Sequence, residues 1–220
     1  MKIVDASYEI LTPISDGGIE ELKHIENIAR TCYKSNGSAT DDGESAKRMI
    51  RALIKNKHEA MLEHSMLSVK FIVNRAFSHE LVRHRMASFA QESQRYVNYS
   101  NEKFGNEITF IRPCYFKEDE EGFKNNFLYW YDAMINAEES YFALINHGAT
   151  PQEARSVLPN STKTEIVISC NYREWRHILN LRAAGTTGIP APEMVEVMVP
   201  LLKELKNRIP VIFDDIEVDE

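Results

Sequence analysis

Two segments far apart in the chain alternate apolar and polar side chains with a period of two. From Ser65 to Val73 the apolar set is Leu67, Val69, Phe71 and Val73, with Ser68 and Lys70 between them. Thr164, Ile166, Ile168 and Cys170 repeat the pattern. Successive side chains of a strand point to opposite faces, so this alternation predicts two central strands, each with one face on a core. Helical spacing follows each of them. Phe77 and Leu81 predict a short helix over 75–82 that runs into Arg83-His84-Arg85, and a second helix is predicted from Tyr172 to Arg182.

The rest of the chain arranges around this frame. Residues 1–12 read as a short strand, broken by Ser15-Asp16-Gly17-Gly18. Ile19, Leu22, Ile25 and Ile28 predict one amphipathic helix, and Ala46, Met49, Ile50, Leu53 and Ile54 another after the Asp41-Asp42-Gly43 turn. Residues 86–100, rich in Ser, Gln, Asn and Tyr, read as irregular. The longest helix is predicted over 119–146, with Gly148 ending it in a left-handed conformation. Thr150-Pro151-Gln152-Glu153 starts the next one, Thr150 as cap, Pro151 in the first turn and Glu153 completing a capping box, which puts Arg155 early on a short helix. A final helix over 192–206 carries Pro200, where a kink is expected. Strands and helices interleave without a regular βαβ rhythm. The expected fold is therefore α+β, a central mixed or antiparallel sheet flanked by helices, in a single domain over residues 1–220.

Composition narrows the function. Lys and Arg number 26 against 33 Asp and Glu, a net charge of −7, which disfavours non-specific binding to nucleic acid. Cys32, Cys114 and Cys170 show no CxxC spacing, so a disulfide framework or zinc knuckle is not indicated; all three read as packing residues, and a reducing cytoplasm is expected. No apolar stretch suggests a signal peptide or a membrane span.

Neither Gly-x-Gly-x-x-Gly nor a P-loop is present, so any phosphate must be held by side chains. The densest cationic cluster is Arg83-His84-Arg85, followed by Gln91, Ser93, Gln94 and Arg95. Neighbours on a helix stand about 100° apart, so the triplet must serve two ligands, or one ligand and the scaffold. Arginine forks suit phosphate and carboxylate oxygens. His58 and His64 stand six apart rather than at the four of a helical metal pair, and no metal site is expected. Two alternative readings stand beside the family resemblance given below: a non-catalytic nucleotide- or single-strand-binding module using the loop over residues 83–95 and its tyrosines, and a metal-dependent nucleotide hydrolase of helical type. The last lacks clustered carboxylates for Mg²⁺.

The run Arg83-His84-Arg85-Met86-Ala87-Ser88-Phe89-Ala90-Gln91-Glu92-Ser93-Gln94-Arg95 resembles the diagnostic pattern of the flavin-dependent thymidylate synthases: Arg-His-Arg, seven residues, Ser, one residue, Arg. Supporting blocks stand in the family's order: His58-Glu59, Glu63-His64, Ala154-Arg155 with Val157-Leu158-Pro159, and Asn171-x-Arg173 followed by His177 and Leu181-Arg182. The resemblance covers most of residues 50–185.

It implies a homotetramer, with active sites shared between subunits, that reductively methylates dUMP to dTMP. Methylenetetrahydrofolate would be the carbon donor, FAD the hydride carrier and NADPH the reductant. By position, FAD would be held by His58, Arg83, His84, Arg85, Gln91, Asn171, Arg173 and His177. The nucleotide would be held by Glu80, Leu81, Val82 and Arg83 of one subunit, by Gln91, Glu92, Ser93, Gln94 and Arg95 of another, and by Arg155 and Arg182. Arg182 matches the family's pyrimidine-facing arginine and is the expected catalytic residue. Glu80 stands where many members carry Gln, and Ala60 where several carry a hydroxyl residue near the flavin.

Overall fold

The computed structural model describes residues 1–35, 39–99, 105–116 and 123–218. Strands β1 (Lys2–Val4) and β2 (Ser7–Ile10) lead into helices α1 (Ile19–Tyr33) and α2 (Glu44–Lys55). A 3-10 turn, Glu59–His64, precedes β3 (Met66–Asn74), which passes directly into α3 (Arg75–Leu81). Then come β4 (Ser88–Gln91), β5 (Thr109–Ile111), α4 (Phe123–Asn146), α5 (Pro151–Ala154) and β6 (Lys163–Asn171). The strand β6 passes directly into α6 (Tyr172–Arg182), and α7 (Pro192–Arg208) follows. The class is α+β: a four-stranded antiparallel sheet in the order β2-β3-β6-β4, and a parallel pair of β1 and β5 with Lys2, Ile3 and Val4 opposite Thr109, Phe110 and Ile111.

The alternation that predicted β3 and β6 is realised in their burial. Leu67, Val69, Phe71 and Val73 are buried, as are Thr164, Ile166, Ile168 and Cys170, while the residues between them are partly exposed. Two expectations are corrected. Residues 1–12 form two strands, because β1 pairs with β5 whereas β2 lies beside β3. Residues 86–100 are not wholly irregular, because Ser88–Gln91 form β4 at the sheet edge beside β6. An edge strand with no fully buried side chain carries little alternation to read. The expected start of the long helix at 119 lies outside the described residues.

The backbone groups into two compact units. The first comprises Met1–Ser7, Phe71–Arg83 and Phe89–Val167. Its core collects Tyr99, Ile108, Phe110, Met134, Tyr141 and Ala154, with Trp130, Phe142 and Leu158 packed against them. Tyr99 and Tyr141 meet edge to face at 5.6 Å. Glu153 accepts from both the backbone N–H and the hydroxyl of Thr150, the expected start of α5, and Gly148 takes the left-handed conformation with φ +91°.

The second unit comprises Tyr8–Lys70, His84–Ser88 and Ile168–Glu220. Leu22, Ile25, Ile50, Leu62, Trp175, Ile178, Met198 and Leu202 are wholly buried there. The Trp175 indole donates to the Leu67 carbonyl at 2.9 Å. Arg176, buried beside it, grips both carboxylate oxygens of Asp215 at 2.6 and 2.8 Å and reaches Glu59 at 3.4 Å, tying α6 to the C-terminal segment and to the 3-10 turn. Gly18, at φ +65°, brings the chain so close to α7 that a Cβ would stand 3.0 Å from the Arg208 carbonyl and the Ile209 Cα. Cys170 is buried as expected and burial pushes its thiol up, but Cys32 is exposed, so it does not pack. Among the described residues no helix is long and apolar enough to cross a membrane.

Two stability predictions follow from α6. Trp175→Ala should cost about 3–5 kcal/mol, as a large core deletion that also orphans a carbonyl, read by urea denaturation. Asp215 is held below its ordinary value of 3.8, chiefly by the hydrogen bonds from Arg176, against the opposing effect of burial. A depressed carboxylate contributes stability above its unfolded value and loses it as pH falls through the folded one. Unfolding free energy should therefore fall as the pH drops below 3.8, and Asp215→Asn should flatten that slope.

Candidate active site

The helix α3 ends at the buried Leu81, and the chain turns through the Arg-His-Arg triplet with Arg83 N–H donating to the Glu80 carbonyl at 3.3 Å. The triplet lies in the turn after the helix and splits there: Arg83 and Arg85 are exposed, while His84 is buried. In the second unit His84 meets α6. The Arg182 Nε–H donates to His84 Nε2 at 3.2 Å, the His177 ring stands edge-on to His84 with centroids 5.9 Å apart, and His84 Nδ1 lies 3.7 Å from the Glu174 carboxylate. Burial raises the Glu174 carboxyl above its ordinary value, with His177 pulling the other way.

The start of α6 supplies two more of the expected residues. Asn171 caps the helix, its side-chain oxygen accepting from Glu174 N–H at 2.8 Å, which leaves its amide N–H groups as donors. Arg173 is exposed and pairs with Glu63 at 2.5 Å. His58 is an exposed residue at the head of the Glu59–His64 turn. It lines a cavity of about 310 Å³ with Ala29, Cys32, Leu53, Ala60 and Met61.

The first unit gathers a second polar group. The Gln91 amide donates to Ser78 Oγ at 2.9 Å and to Thr164 Oγ1 at 3.2 Å. Arg75 donates to the same Thr164 hydroxyl at 3.2 Å and to the Glu92 carbonyl at 3.4 Å. Burial lowers the Arg75 guanidinium from its ordinary value; Tyr99 and Glu92 oppose the shift and the neighbouring Arg155 adds to it. The Glu92 carboxylate accepts from the Tyr99 hydroxyl at 3.2 Å and pairs with Lys163 at 3.1 Å. Burial alone would lower the Lys163 ammonium, but its bonds to Glu165 and Glu92 outweigh it and raise the group. Ser93 Oγ accepts from the Arg95 N–H at 3.3 Å, and Arg95 Nε donates to Gln152 at 2.9 Å with its guanidinium 5.5 Å from the Tyr96 ring centre. Arg155 lies half-buried in the 3-10 turn after α5, and Gln94 is half-buried in the same loop as Ser93.

His84, His177 and Arg182 are thus brought together in one unit. Gln91 joins Glu92 through Arg75 and Thr164 in the other. Glu80 is half-buried, Leu81 buried and Val82 exposed. Glu174, Arg75, Ser78, Thr164 and Lys163 escaped the reading of the sequence. Only Glu174 had a usable signal, since Glu174-x-x-His177 puts a carboxylate and an imidazole on one helix face.

The sequence profile of the family described as "Thymidylate synthase complementing protein" matches residues 19–211. The chain belongs to this family. It is 32% identical over 217 residues to the flavin-dependent thymidylate synthase of Corynebacterium aurimucosum, covering 93% of this chain and 84% of that protein. To the flavin-dependent thymidylate synthase of Mycobacterium marinum it is 32% identical over 220 residues, covering 94% and 83%. Its fold is shared by a UMP/dUMP methylase, PolB, of Streptomyces cacaoi, whose crystal structure with 5-Br dUMP gives a TM-score of 0.78 at 21% identity, over 97% of this chain and 96% of that one.

Arg173 offers a clean separation of binding from stability. An exposed ion pair contributes about 0–1 kcal/mol, so Arg173→Ala should leave the urea midpoint almost unchanged. A fall in flavin content of the purified variant, read from visible absorption, would then report a binding contact.

Proposed function

We propose that the chain is an FAD-dependent thymidylate synthase that reductively methylates dUMP to dTMP, with methylenetetrahydrofolate as carbon donor and NADPH as reductant. The carrying observation is the Arg182 to His84 hydrogen bond, which anchors a half-buried guanidinium against a buried imidazole. A guanidinium fixed in this way is placed to stabilise negative charge developing on a pyrimidine, favouring ionisation at N3 without reorganisation at the moment of reaction.

The donor set suits FAD. His84, His177, Arg173 and the Asn171 amide supply cationic or hydrogen-bonding groups for an anionic diphosphate and a polar ring edge, and the cavity beside His58 is apolar enough for a flat ring. Arg83, Arg85 and Gln91 complete the proposed flavin set. Bound FAD would supply the hydride chemistry, the protein position and electrostatics. For dUMP, Arg95 and Arg155 would hold the phosphate, with Arg75 adding charge beside Arg155. Ser93, Gln94, Glu92 and the segment Glu80–Arg83 would line the nucleotide site. Ser93 binds rather than attacks, since no general base is bonded to its hydroxyl among the described contacts.

A homotetramer with shared sites accords with the loop that carries the motif, where Met86 is 73% and Tyr96 79% exposed in the single chain. Three cysteines without CxxC spacing accord with a cytoplasmic protein. The test is the visible spectrum of protein reconstituted with FAD, desalted and titrated with dUMP. Retained flavin bands that shift on adding dUMP support a common site, and a colourless protein without a dUMP response sinks the proposal. Arg182→Ala should retain flavin and lose dTMP formation by roughly a hundredfold or more. Full activity in that variant would remove Arg182 from its role.

A further inference from the structure

We infer that the cavity between the start of α1 and the start of β3 binds a small aliphatic diamine in its dicationic form, held by Glu20, Glu21 and the Ser65 hydroxyl. This binding goes beyond the proposed activity and does not rest on it, because none of the described residues lining the cavity belongs to the proposed flavin or nucleotide sets. The cavity, of about 350 Å³, lies within the second unit. That volume stands at the small end of ligand sites. Glu20, Glu21 and His24 line it from α1, and His64 and Ser65 from the approach to β3.

The Ser65 hydroxyl calls for a ligand. Ser65 holds extended backbone, with φ −121° and ψ 139°, and stands two residues before Leu67, so its side chain has the buried phase of β3. It is only 8% exposed. Its carbonyl accepts from the Tyr172 N–H at 3.1 Å, yet among the described residues its Oγ has no hydrogen-bond partner. A buried hydroxyl without a partner costs stability, and here the partner must come from the cavity that Ser65 lines.

The rest of the lining decides the sign of that partner. Burial pushes the Glu21 carboxyl up, but the Ser15 hydroxyl and backbone N–H donate to it, outweigh burial and hold it below its ordinary value of 4.5. An ionised carboxylate keeps acceptor sites after two such bonds. Burial, and then the Glu21 charge, push the Tyr172 hydroxyl up, so this wall stays neutral. The Glu20 carboxylate pairs with Lys23 at 3.4 Å on the surface, a contact weak enough to be exchanged for a ligand. Each imidazole in its neutral form adds a further acceptor. Two negative charges repel a phosphate or carboxylate ligand, whereas an ammonium brings three N–H donors and matches the set. Two carboxylates balance two ammonium groups, and Pro13 and Met66 give the aliphatic stem an apolar wall.

The experiment titrates the full chain as purified with putrescine, by isothermal titration calorimetry in phosphate buffer at about 150 mM NaCl, where diffuse attraction to an acidic protein is screened. One putrescine per chain is expected, with a dissociation constant below about 1 mM. Glu21→Gln and Ser65→Ala should each weaken binding roughly fivefold or more. Glu44→Gln, at an exposed acid outside the cavity, should leave it unchanged. Ser65→Ala should keep or raise the urea midpoint, because it removes an unpartnered hydroxyl. Butanediol should not bind, and a blocked lysine amide, with a single ammonium on the same stem, should bind roughly fivefold more weakly or worse. Absence of putrescine binding, undiminished binding in Ser65→Ala or Glu21→Gln, equal weakening by Glu44→Gln, or a lysine amide as tight as putrescine each overturns the inference.

Discussion

Two asparagines govern this molecule, because each turns a nine-residue strand into a helix without an intervening loop. Asn74 and Asn171 both hold extended backbone, with φ and ψ of −78° and 169° in one and −74° and 166° in the other. Their side-chain oxygens accept from Phe77 and Glu174 N–H groups, each at 2.8 Å. Such a cap contributes about 1 kcal/mol, but its larger effect is geometric. Strand register decides which residues face the core, and with no loop to absorb an error it also sets the rotational phase of the helix that follows.

The helix α6 shows what that phase achieves. Trp175 and Arg176 enter the core, one bonding the Leu67 carbonyl and the other clamping Asp215, while Glu174, His177 and Arg182 meet His84. Core and site are therefore two sides of one rod. The groups that meet the buried histidine take their direction from the same helix that buries the tryptophan.

How far this was legible depended on the length of the pattern. The strands β3 and β6 were readable because alternation runs through nine residues, and α6 because its periodicity begins where that alternation stops. The strands β4 and β5, of four and three residues, owe their existence to partners far along the chain and leave no local trace. The Arg-His-Arg triplet was visible as a cluster of charge. That His84 would be the buried member was not, since its neighbours Arg182, His177 and Glu174 come from a helix distant in sequence. Glu174 is an acid in a helix first turn, where the macrodipole already favours one, so the sequence alone gives it no distinct role. Thr164 looked like a strand residue. Its hydroxyl, shared between Arg75 and Gln91, became apparent only once β6 lay beside β4.

The direct junction at Asn171 also restricts how this chain can vary. Adding or removing one residue between the strand and Trp175 would rotate α6 by about 100° about its axis. The tryptophan would swing out of the core as His177 swung away from His84. Substitutions in the stretch can be absorbed one at a time, but a change in its length exchanges the inside of the protein for its working surface. Diversification of this scaffold is thus confined to side-chain identity here, while insertions must fall in the connections between helices.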